Sequence, residues 1–278
     1  MTHIDYLAIG HITRDLTPEG DKLGGTVSFS SRLAQALGCK TAVLTSSSLD
    51  FKWQHELSGI EILSIPAAET TTFENIYTPN GRIQTLSGNA APLVAQDVPK
   101  AWQRASIVHL GPMDDEVDPA MIHLFSNSMV CLTPQGWHRQ WDENGRVTPK
   151  AWAAAADILP LAAAVVVSLE DLPDEETFNL YQELCKLLVV TKGDNGCTVY
   201  YDDEIRHFPT PPANEVDATG AGDTFATAYF VRLYQTGGNP WESARFANEI
   251  AALSVEHSGV SAKITAVQAH LKKETGQK

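Results

Sequence analysis

The sequence has 278 residues, of which 43% are hydrophobic and 19% charged, so we expect one large domain with a sizeable core. Acidic residues outnumber basic ones by 34 to 20, a formal net charge of −14, which argues against nucleic-acid and anionic-membrane partners. The four cysteines form no CxxC pair, so we expect reduced thiols. With no leader-like N-terminus and no apolar run of about 18 residues, the expected location is cytoplasmic.

The N-terminal part has the pattern of a βαβ unit. An apolar run at residues 6–10 predicts a buried strand, and one helical face is apolar in residues 28–38, which end at Gly38. Residues 40–45 predict the next strand. Strand, helix and strand in this order indicate a parallel sheet.

A different pattern interrupts this order. Residues 60–65 predict a strand, and residues 70–78 and 82–86 alternate around a Pro79-Asn80-Gly81 turn signal, which predicts a β-hairpin. We interpret this hairpin, together with the polar stretch before Gly24, as an insertion. The prediction is a small β-lid over the sheet, formed from about 11–23 and 66–88 of a single domain spanning 1–278.

The α/β order then returns. Further strands are predicted at 106–110, 130–133, 163–167, 187–191, 197–201 and 205–208. Two C-terminal helices are predicted at 222–236 and 240–256. The sequence therefore predicts an α/β fold with a mostly parallel central sheet.

The strongest functional pattern is the small-residue turn Gly220-Ala221-Gly222, which precedes Asp223 at the start of a predicted helix. Unpaired N–H groups at a helix N-terminus bind phosphate, and small residues let it approach the backbone. Asp223 could cap the helix or act as a general base, and spacing alone favours neither. A dinucleotide loop is a third option, weakened by Phe225 where a third glycine belongs, and no GxxxxGK[ST] phosphate loop occurs.

Residues 217–223, Asp-Ala-Thr-Gly-Ala-Gly-Asp, closely resemble the DTxGAGD signature of ribokinase-like (PfkB) carbohydrate kinases, departing at Ala218. The Gly24-Gly25 pair before a helix resembles the family's N-terminal signature. The 191–196 segment resembles its nucleotide-side TxGxxG loop. These motifs occur in family order over nearly the whole chain. The resemblance implies a three-layer α/β/α fold with a β-lid, and an ATP-dependent, Mg²⁺-assisted kinase.

Carried over position by position, the resemblance assigns roles to individual residues. It makes Asp223 the catalytic base, with the amides of Gly220, Ala221 and Gly222 holding the charge on the transferred phosphate. The substrate-binding residues it implies are Asp15, Gly24, Gly25 and Arg139. The ATP-binding residues it implies are Thr191, Gly193, Gly196, Thr219 and Asn248. The metal-associated residues it implies are Asp171 and Glu170.

Plainer interpretations of the substrate residues stay open. Asp15 could be a loop-capping aspartate, the glycine pair a simple turn, and Arg139 a lone surface arginine. Phe29 stands where the family has asparagine, and 168–171 departs from its NxxE pattern. Some members bind potassium beside the anion hole, and Lys263 falls near that position. The hypothesis is that its ammonium replaces the ion.

The acceptor is less well specified by the sequence. Phe29, the Thr-Thr-x-Phe-Glu stretch at 70–74 and Val-Glu-His at 255–257 resemble the myo-inositol kinase branch, which makes myo-inositol or a related polyol the first expectation. A sugar, nucleoside or pyridoxal-type kinase, a non-catalytic ligand-binding sensor and an NAD-dependent dehydrogenase are the alternatives. A homodimer through the lid and a monomer stay equally open.

Overall fold

The computed structural model describes residues 3–78 and 81–274, and its central feature is a nine-stranded sheet. The strands, numbered along the chain, are β1 (Tyr6–Ile9), β2 (Thr13–Thr17), β3 (Gly20–Gly24), β4 (Thr41–Ser47), β5 (Glu61–Pro66), β6 (Thr72–Thr78), β7 (Gly81–Gly88), β8 (Ile107–Leu110), β9 (Met129–Leu132), β10 (Arg139–Trp141), β11 (Val147–Pro149), β12 (Ala164–Ser168), β13 (Leu187–Thr191), β14 (Cys197–Tyr201) and β15 (Glu204–Phe208). The helices are α1 (Thr26–Ala36), α2 (Ala155–Ile158), α3 (Glu175–Leu184), α4 (Ala221–Gln235), α5 (Pro240–Val255) and α6 (Val260–Glu274).

The large sheet has the strand order β15-β14-β13-β12-β9-β8-β1-β4-β5. All pairs from β13 to β5 are parallel, and β14 and β15 are added antiparallel at one edge. The predicted α/β fold with a mostly parallel sheet is therefore confirmed. Parallel strands place all their carboxyl ends at one edge, where loops can meet.

The sheet separates two apolar cores. In β1, Tyr6 and Ala8 point into the core covered by α1, α4, α5 and α6, whereas Leu7 and Ile9 point into the core beneath α2, α3 and several short 3₁₀ turns. This alternation follows from the two-residue period of a strand, and both faces are apolar because both are covered. The three-layer α/β/α arrangement is confirmed.

Local sequence signals explain where the helices begin. The Asn239 side chain accepts hydrogen bonds from the backbone N–H groups of Trp241 and Glu242, and Pro240 occupies the first helical position of α5. Asp174 caps α3 in the same way through Thr177, with 2.7 Å between Asp174 Oδ1 and the Thr177 nitrogen. The helices predicted at 222–236 and 240–256 correspond to α4 and α5.

A second sheet, here called the lid sheet, has the strand order β3-β2-β6-β7. Strand β2 pairs antiparallel with β3 and parallel with β6, and β6 pairs antiparallel with β7. Pro79 and Asn80 of the predicted turn lie outside the described residues. The small hairpin β10–β11 adjoins the lid sheet, because the Leu86 N–H donates to the Gly145 carbonyl at 2.8 Å.

All four cysteines are free in this structure: Cys131 and Cys197 are buried and Cys39 and Cys185 are half-buried. Among the described residues, no helix combines the length and apolar character needed to cross a bilayer.

Candidate active site

Two helix N-termini meet above the carboxyl ends of the central strands. Helix α1 follows Gly25 as its N-cap residue, and α4 follows Gly220 in the same way. The two helices pack against each other on one face of the sheet. Each N-terminus leaves backbone N–H groups without an intrahelical partner, so this junction favours anions.

The glycine turn (residues 220–222) has a conformation that its sequence dictates. Gly220 has φ +73°, and a Cβ there would overlap the Phe29 ring, so a side chain is excluded both by the backbone and by space. Phe29, which replaces the family's asparagine, thus packs behind the turn. A Cβ on Gly222, in contrast, would meet no atom within 4 Å. The glycine turn is therefore tightly packed on the side of Gly220, against Phe29, and open on the side of Gly222, where a phosphate could approach.

Asp223 lies in the first turn of α4, beside this opening. Burial raises the pKa of its carboxyl to about 6. The Thr26 hydroxyl and the charge of Arg139 oppose that rise, while the carboxylates of Asp171 and Asp15 add to it. A carboxyl group with this pKa can accept a proton near neutral pH and release it again.

Asp15 reaches the same region from the lid sheet. It lies in β2, and its Oδ1 accepts a hydrogen bond of 2.9 Å from the Thr13 hydroxyl. Burial raises its pKa to about 6, against the effects of Thr13 and Arg139. A Cβ on Gly24 would overlap the Asp15 carboxylate, so the glycine pair makes room for this side chain. Gly25 continues directly into α1 as its N-cap.

Arg139 is only 7% exposed, so it is not a lone surface side chain. Its guanidinium donates to the Met113 carbonyl and to Gln135 Oε1, both at 2.9 Å, and lies 5.7 Å from the centre of the Phe73 ring on the lid sheet. Because its charge lowers the pKa of both Asp15 and Asp223, it acts on the two carboxylates at once.

Two polar residues that the sequence analysis did not select complete this side. Gln135 Nε2 donates to Thr26 Oγ1 at 3.1 Å, and Thr26 Oγ1 lies 3.3 Å from Met113 Sδ. The signals were present but weak: Gln135 follows a strand within Thr-Pro-Gln-Gly-Trp, and Thr26 directly follows the glycine pair. Together with Arg139 they form a connected polar cluster beside Asp223.

The predicted nucleotide-side residues lie in a loop of mostly exposed backbone. Thr191 ends β13, and its hydroxyl lies 3.4 Å from the Val167 carbonyl, whereas Gly193 is exposed with open space around it. Gly196 is buried, and a Cβ there would overlap the Phe208 carbonyl. Thr219 is exposed next to the glycine turn.

Asn248 differs from these residues because its side chain is buried, with 3% exposed. Its Nδ2 donates to the Phe208 carbonyl at 3.0 Å and lies 3.6 Å from Cys197 Sγ. These contacts tie α5 to strands β14 and β15. Little of the Asn248 side chain is therefore left to contact a nucleotide.

Asp171 and Glu170 occupy a short 3₁₀ turn after β12. Asp171 is half-buried, and its carboxylate is close enough to Asp223 to raise the pKa of that group. A divalent cation would relieve this repulsion between like charges, so Asp171 fits a magnesium site reached through water. Glu170 is exposed.

In the described part of the chain, one other group of side chains has metal-ligand spacing: His11, Asp114 and Glu116, all buried. The Glu116 carboxylate accepts three backbone N–H groups, and the two ring nitrogens of His11 lie 2.6 Å from Thr71 Oγ1 and 2.9 Å from the Ala91 carbonyl. Burial lowers the pKa of His11, but Glu116 and Asp114 outweigh it and raise that pKa to about 9. Most of the ligand atoms are thus committed to internal hydrogen bonds; Asp114 Oδ1 accepts none from the described residues and lies 3.4 Å from His11 Nδ1. The cluster joins the lid to the body.

Comparison with known proteins identifies the family of the chain. Residues 145–266 match the model of the pfkB family carbohydrate kinases. The chain is 35% identical to a nucleoside kinase of Methanothermobacter thermautotrophicus, covering 98% of this chain and 96% of the relative. It is 26% identical to an inositol 3-kinase of Zea mays, covering 87% of this chain and 68% of the relative.

A solved structure of similar fold is a pyrophosphate-dependent kinase in the ribokinase family, complexed with a pyrophosphate analog and myo-inositol. Its TM-score is 0.80 at 20% identity, over 95% of this chain and 99% of that one. At this identity the likeness concerns the fold alone. The full-length match to the nucleoside kinase, the family model and the site geometry agree, and the chain belongs to the pfkB family of carbohydrate kinases.

Proposed function

We propose that the protein transfers the γ-phosphoryl group of ATP to a hydroxyl of a small polyol, with myo-inositol as the first candidate. The observation that carries the proposal is the position of Asp223, a carboxyl with a pKa raised to about 6, beside the open front of the glycine turn. A base and an anion-binding site adjoin there, as phosphoryl transfer to a hydroxyl requires.

In the proposed reaction, Asp223 accepts the proton of the acceptor hydroxyl as its oxygen forms a bond to the γ-phosphorus. The bond from that phosphorus to the bridging oxygen breaks, and ADP leaves with the bonding electron pair. The amides of Gly220, Ala221 and Gly222 stabilise the negative charge on the transferred group. Positioning and electrostatics account for most of the catalysis in such reactions.

Asp171 is the residue we assign to magnesium, with Glu170 as the exposed alternative. When bound, Mg²⁺ would neutralise charge on the donor phosphates. Without the cation, the negative charge of Asp171 raises the pKa of Asp223, and a bound cation would weaken that effect.

The acceptor side favours a compact polyhydroxylated molecule. Asp15 offers a buried carboxylate for hydroxyl groups, and Arg139 offers a donor group in the same region. Phe73 is 1% exposed, with the Arg139 guanidinium near its ring, so this aromatic face is already covered. Stacking on an aromatic face is a common way to bind a nucleobase, so the covered Phe73 ring favours a polyol or sugar despite the nucleoside kinase relative.

The donor is the second point that needs direct measurement. The loop after β13, in which Gly193 is exposed, and the exposed Thr219 beside the glycine turn support a nucleotide donor such as ATP. Pyrophosphate is the alternative, because a structure with the same fold is described as dependent on it. Both donors share the phosphate chemistry that the glycine turn would recognise.

The test is a product assay that crosses ATP and pyrophosphate, each with magnesium, against myo-inositol, common sugars and nucleosides. We expect phosphorylated myo-inositol with ATP only. Turnover of another acceptor would leave the proposed mechanism unchanged but would show that myo-inositol is not the substrate. Turnover with pyrophosphate would show that ATP is not the required donor. Donor binding without turnover of any acceptor would contradict the proposal and favour a ligand-binding sensor.

The lid sheet is proposed to close over the acceptor and exclude water during transfer. Asp15 on β2 and Phe73 on β6 support this, because both contact or influence Arg139 in the body. A homodimer through the lid stays a prediction, which sedimentation of the protein over a range of concentrations would check.

A further inference from the structure

Lys263 is the one lysine that is fully buried in the range 3–78 and 81–274, with 1% exposed. It lies in the first turn of α6, which contains no acidic residue. Two effects oppose a charge in this place: burial removes its hydration, and the N-terminal end of a helix repels cations. Burial lowers the pKa of Lys263 accordingly, opposed by the charges of Asp217 and Glu215.

The contacts of the ammonium explain what offsets this cost. Lys263 Nζ donates to the main-chain carbonyl of Asp217. The Asp217 carboxylate in turn accepts hydrogen bonds from Ser258 Oγ at 3.0 Å, the Gly259 N–H at 3.3 Å and the Thr219 N–H at 2.9 Å. Burial raises the pKa of Asp217, but these hydrogen bonds and the charge of Lys263 outweigh it, so that pKa lies below its ordinary value.

These contacts hold the segment that leads into the glycine turn. The N–H groups of Val216 and Asp217 both donate to the Val255 carbonyl, at 2.8 and 3.0 Å. The Ala221 N–H donates to the Ala218 carbonyl at 3.0 Å. Residues 216–219 are therefore fastened to the junction of α5 and α6, and Lys263 supplies the positive charge in this assembly.

We propose that Lys263 is a built-in cation that positions the glycine turn and adds positive potential behind it. The proposal rests on the proposed function, because it assumes that residues 220–222 hold the transferred phosphoryl group. Lys263 does not touch the reacting atoms, so it is a positioning residue. Its fixed charge acts through a poorly hydrated interior, where electrostatic effects are stronger than at the surface.

The test compares Lys263→Met, which removes charge and hydrogen bond, with Lys263→Gln, which removes the charge and keeps a donor for the Asp217 carbonyl. Lys273→Met, on the exposed part of the same helix, is the matched control. We expect both Lys263 variants to lose at least about tenfold in kcat, by analogy with the loss of one anion-stabilising group, while the acceptor KM and the control stay unchanged. If Lys263→Met fails to fold, Lys263→Gln carries the test.

A second measurement separates charge from packing. Lys263→Ala leaves room for a small cation, so we expect methylammonium or potassium chloride to restore part of its kcat relative to choline chloride at equal ionic strength. A merely structural lysine would give no such recovery. Full kcat in Lys263→Gln, or no cation response in Lys263→Ala, would overturn the proposal. Lack of turnover in the wild-type protein would instead count against the proposed function.

Discussion

The proposed acceptor side and the proposed donor side of the cleft are built in different ways. On the acceptor side, side chains are bonded to one another: Arg139 to Gln135, Gln135 to Thr26, and Thr13 to Asp15. On the donor side, exposed backbone predominates. From this difference we expect acceptor choice to depend on side-chain chemistry, and donor binding to depend on backbone features that many sequences could supply. Substitutions on the two sides should therefore have separable kinetic effects.

The largest effect is expected at the boundary between the two sides. Asp223→Asn should lower kcat by about 10²–10⁴-fold, since the general base is lost, while donor affinity is retained. Steady-state kinetics and a donor titration check this, with the exposed Asp157→Asn as control. A near-normal rate would contradict the assignment.

The same variant has a second expected effect, on stability. The pKa of Asp223 is raised in the folded state, so its charged form destabilises the fold at pH values above about 6. Asp223→Asn should therefore raise Tm at pH 8, by roughly 2–4 °C for each kcal/mol relieved. The gain should shrink as pH falls through 6 and vanish below about 4, where the carboxyl is protonated in both states.

Two glycine substitutions sharpen the comparison. Gly24→Ala would displace the Asp15 carboxylate, so we expect the acceptor KM to rise about tenfold with the donor KM unchanged. Gly222→Ala meets no clash and should stabilise α4 by up to about 1 kcal/mol, yet its methyl group would occupy the phosphate approach and lower kcat. If Gly24→Ala and Gly222→Ala changed the acceptor KM and kcat to the same extent, the acceptor and donor sides would not act separately.

A matched pair tests the donor loop. Gly196 has φ +78°, and the Cβ of Gly196→Ala would overlap the Phe208 carbonyl. We therefore expect a higher donor KM and a free energy of unfolding that is lower by about 1–3 kcal/mol or more. Gly193→Ala has φ +57° but open space, so only conformational strain of about 1 kcal/mol is expected. Chemical denaturation and donor kinetics check this. A larger effect at Gly193 would mean that its backbone contacts the donor directly.

The pH dependence should report both carboxylates. The pKa values of Asp15 and Asp223 are both raised to about 6, so kcat/KM should fall as pH drops below 6, by about tenfold per unit for one group and more steeply for two. Arg139→Gln should move this limb to higher pH, because the arginine lowers both pKa values. The exposed Arg104→Gln serves as control, and an unchanged limb in Arg139→Gln would contradict the argument.

The smallest effect concerns monovalent cations. If the Lys263 ammonium takes the place of a bound ion, exchanging potassium for sodium should change the wild-type rate by less than about twofold at constant ionic strength. Strong potassium dependence would reject that hypothesis.

Much of the fold was predictable because its signals are local. Apolar runs marked the parallel strands, and Asn239-Pro240 marked the start of α5. The hairpin β10–β11 was not predicted, since its two strands have only three residues each and most of their side chains are exposed. The hairpin also bonds to the distant strand β7, where the Leu86 N–H donates to the Gly145 carbonyl, and no local pattern encodes that contact.

The site, like the fold, was predictable only where its signals are local in the sequence. The glycine turn and Asp223 are adjacent in sequence, so their motif was visible. Gln135 and Thr26 are 109 positions apart and meet only because the ends of parallel strands converge. For Asn248, the family motif identified the position in the sequence. The contacts of its side chain with Phe208 and Cys197 were not predictable, because they depend on tertiary packing.

The bond between Leu86 and Gly145 has a consequence for exchanging parts between relatives. Because this bond joins β7 to the hairpin β10–β11, and β10 begins with Arg139, a graft of the lid strands alone would leave the arginine facing a foreign aromatic partner. We therefore expect that residues 13–24, 72–88 and 139–149 must be exchanged together between homologues. Only a chimera that carries all three segments should acquire the acceptor preference of the relative that donates them.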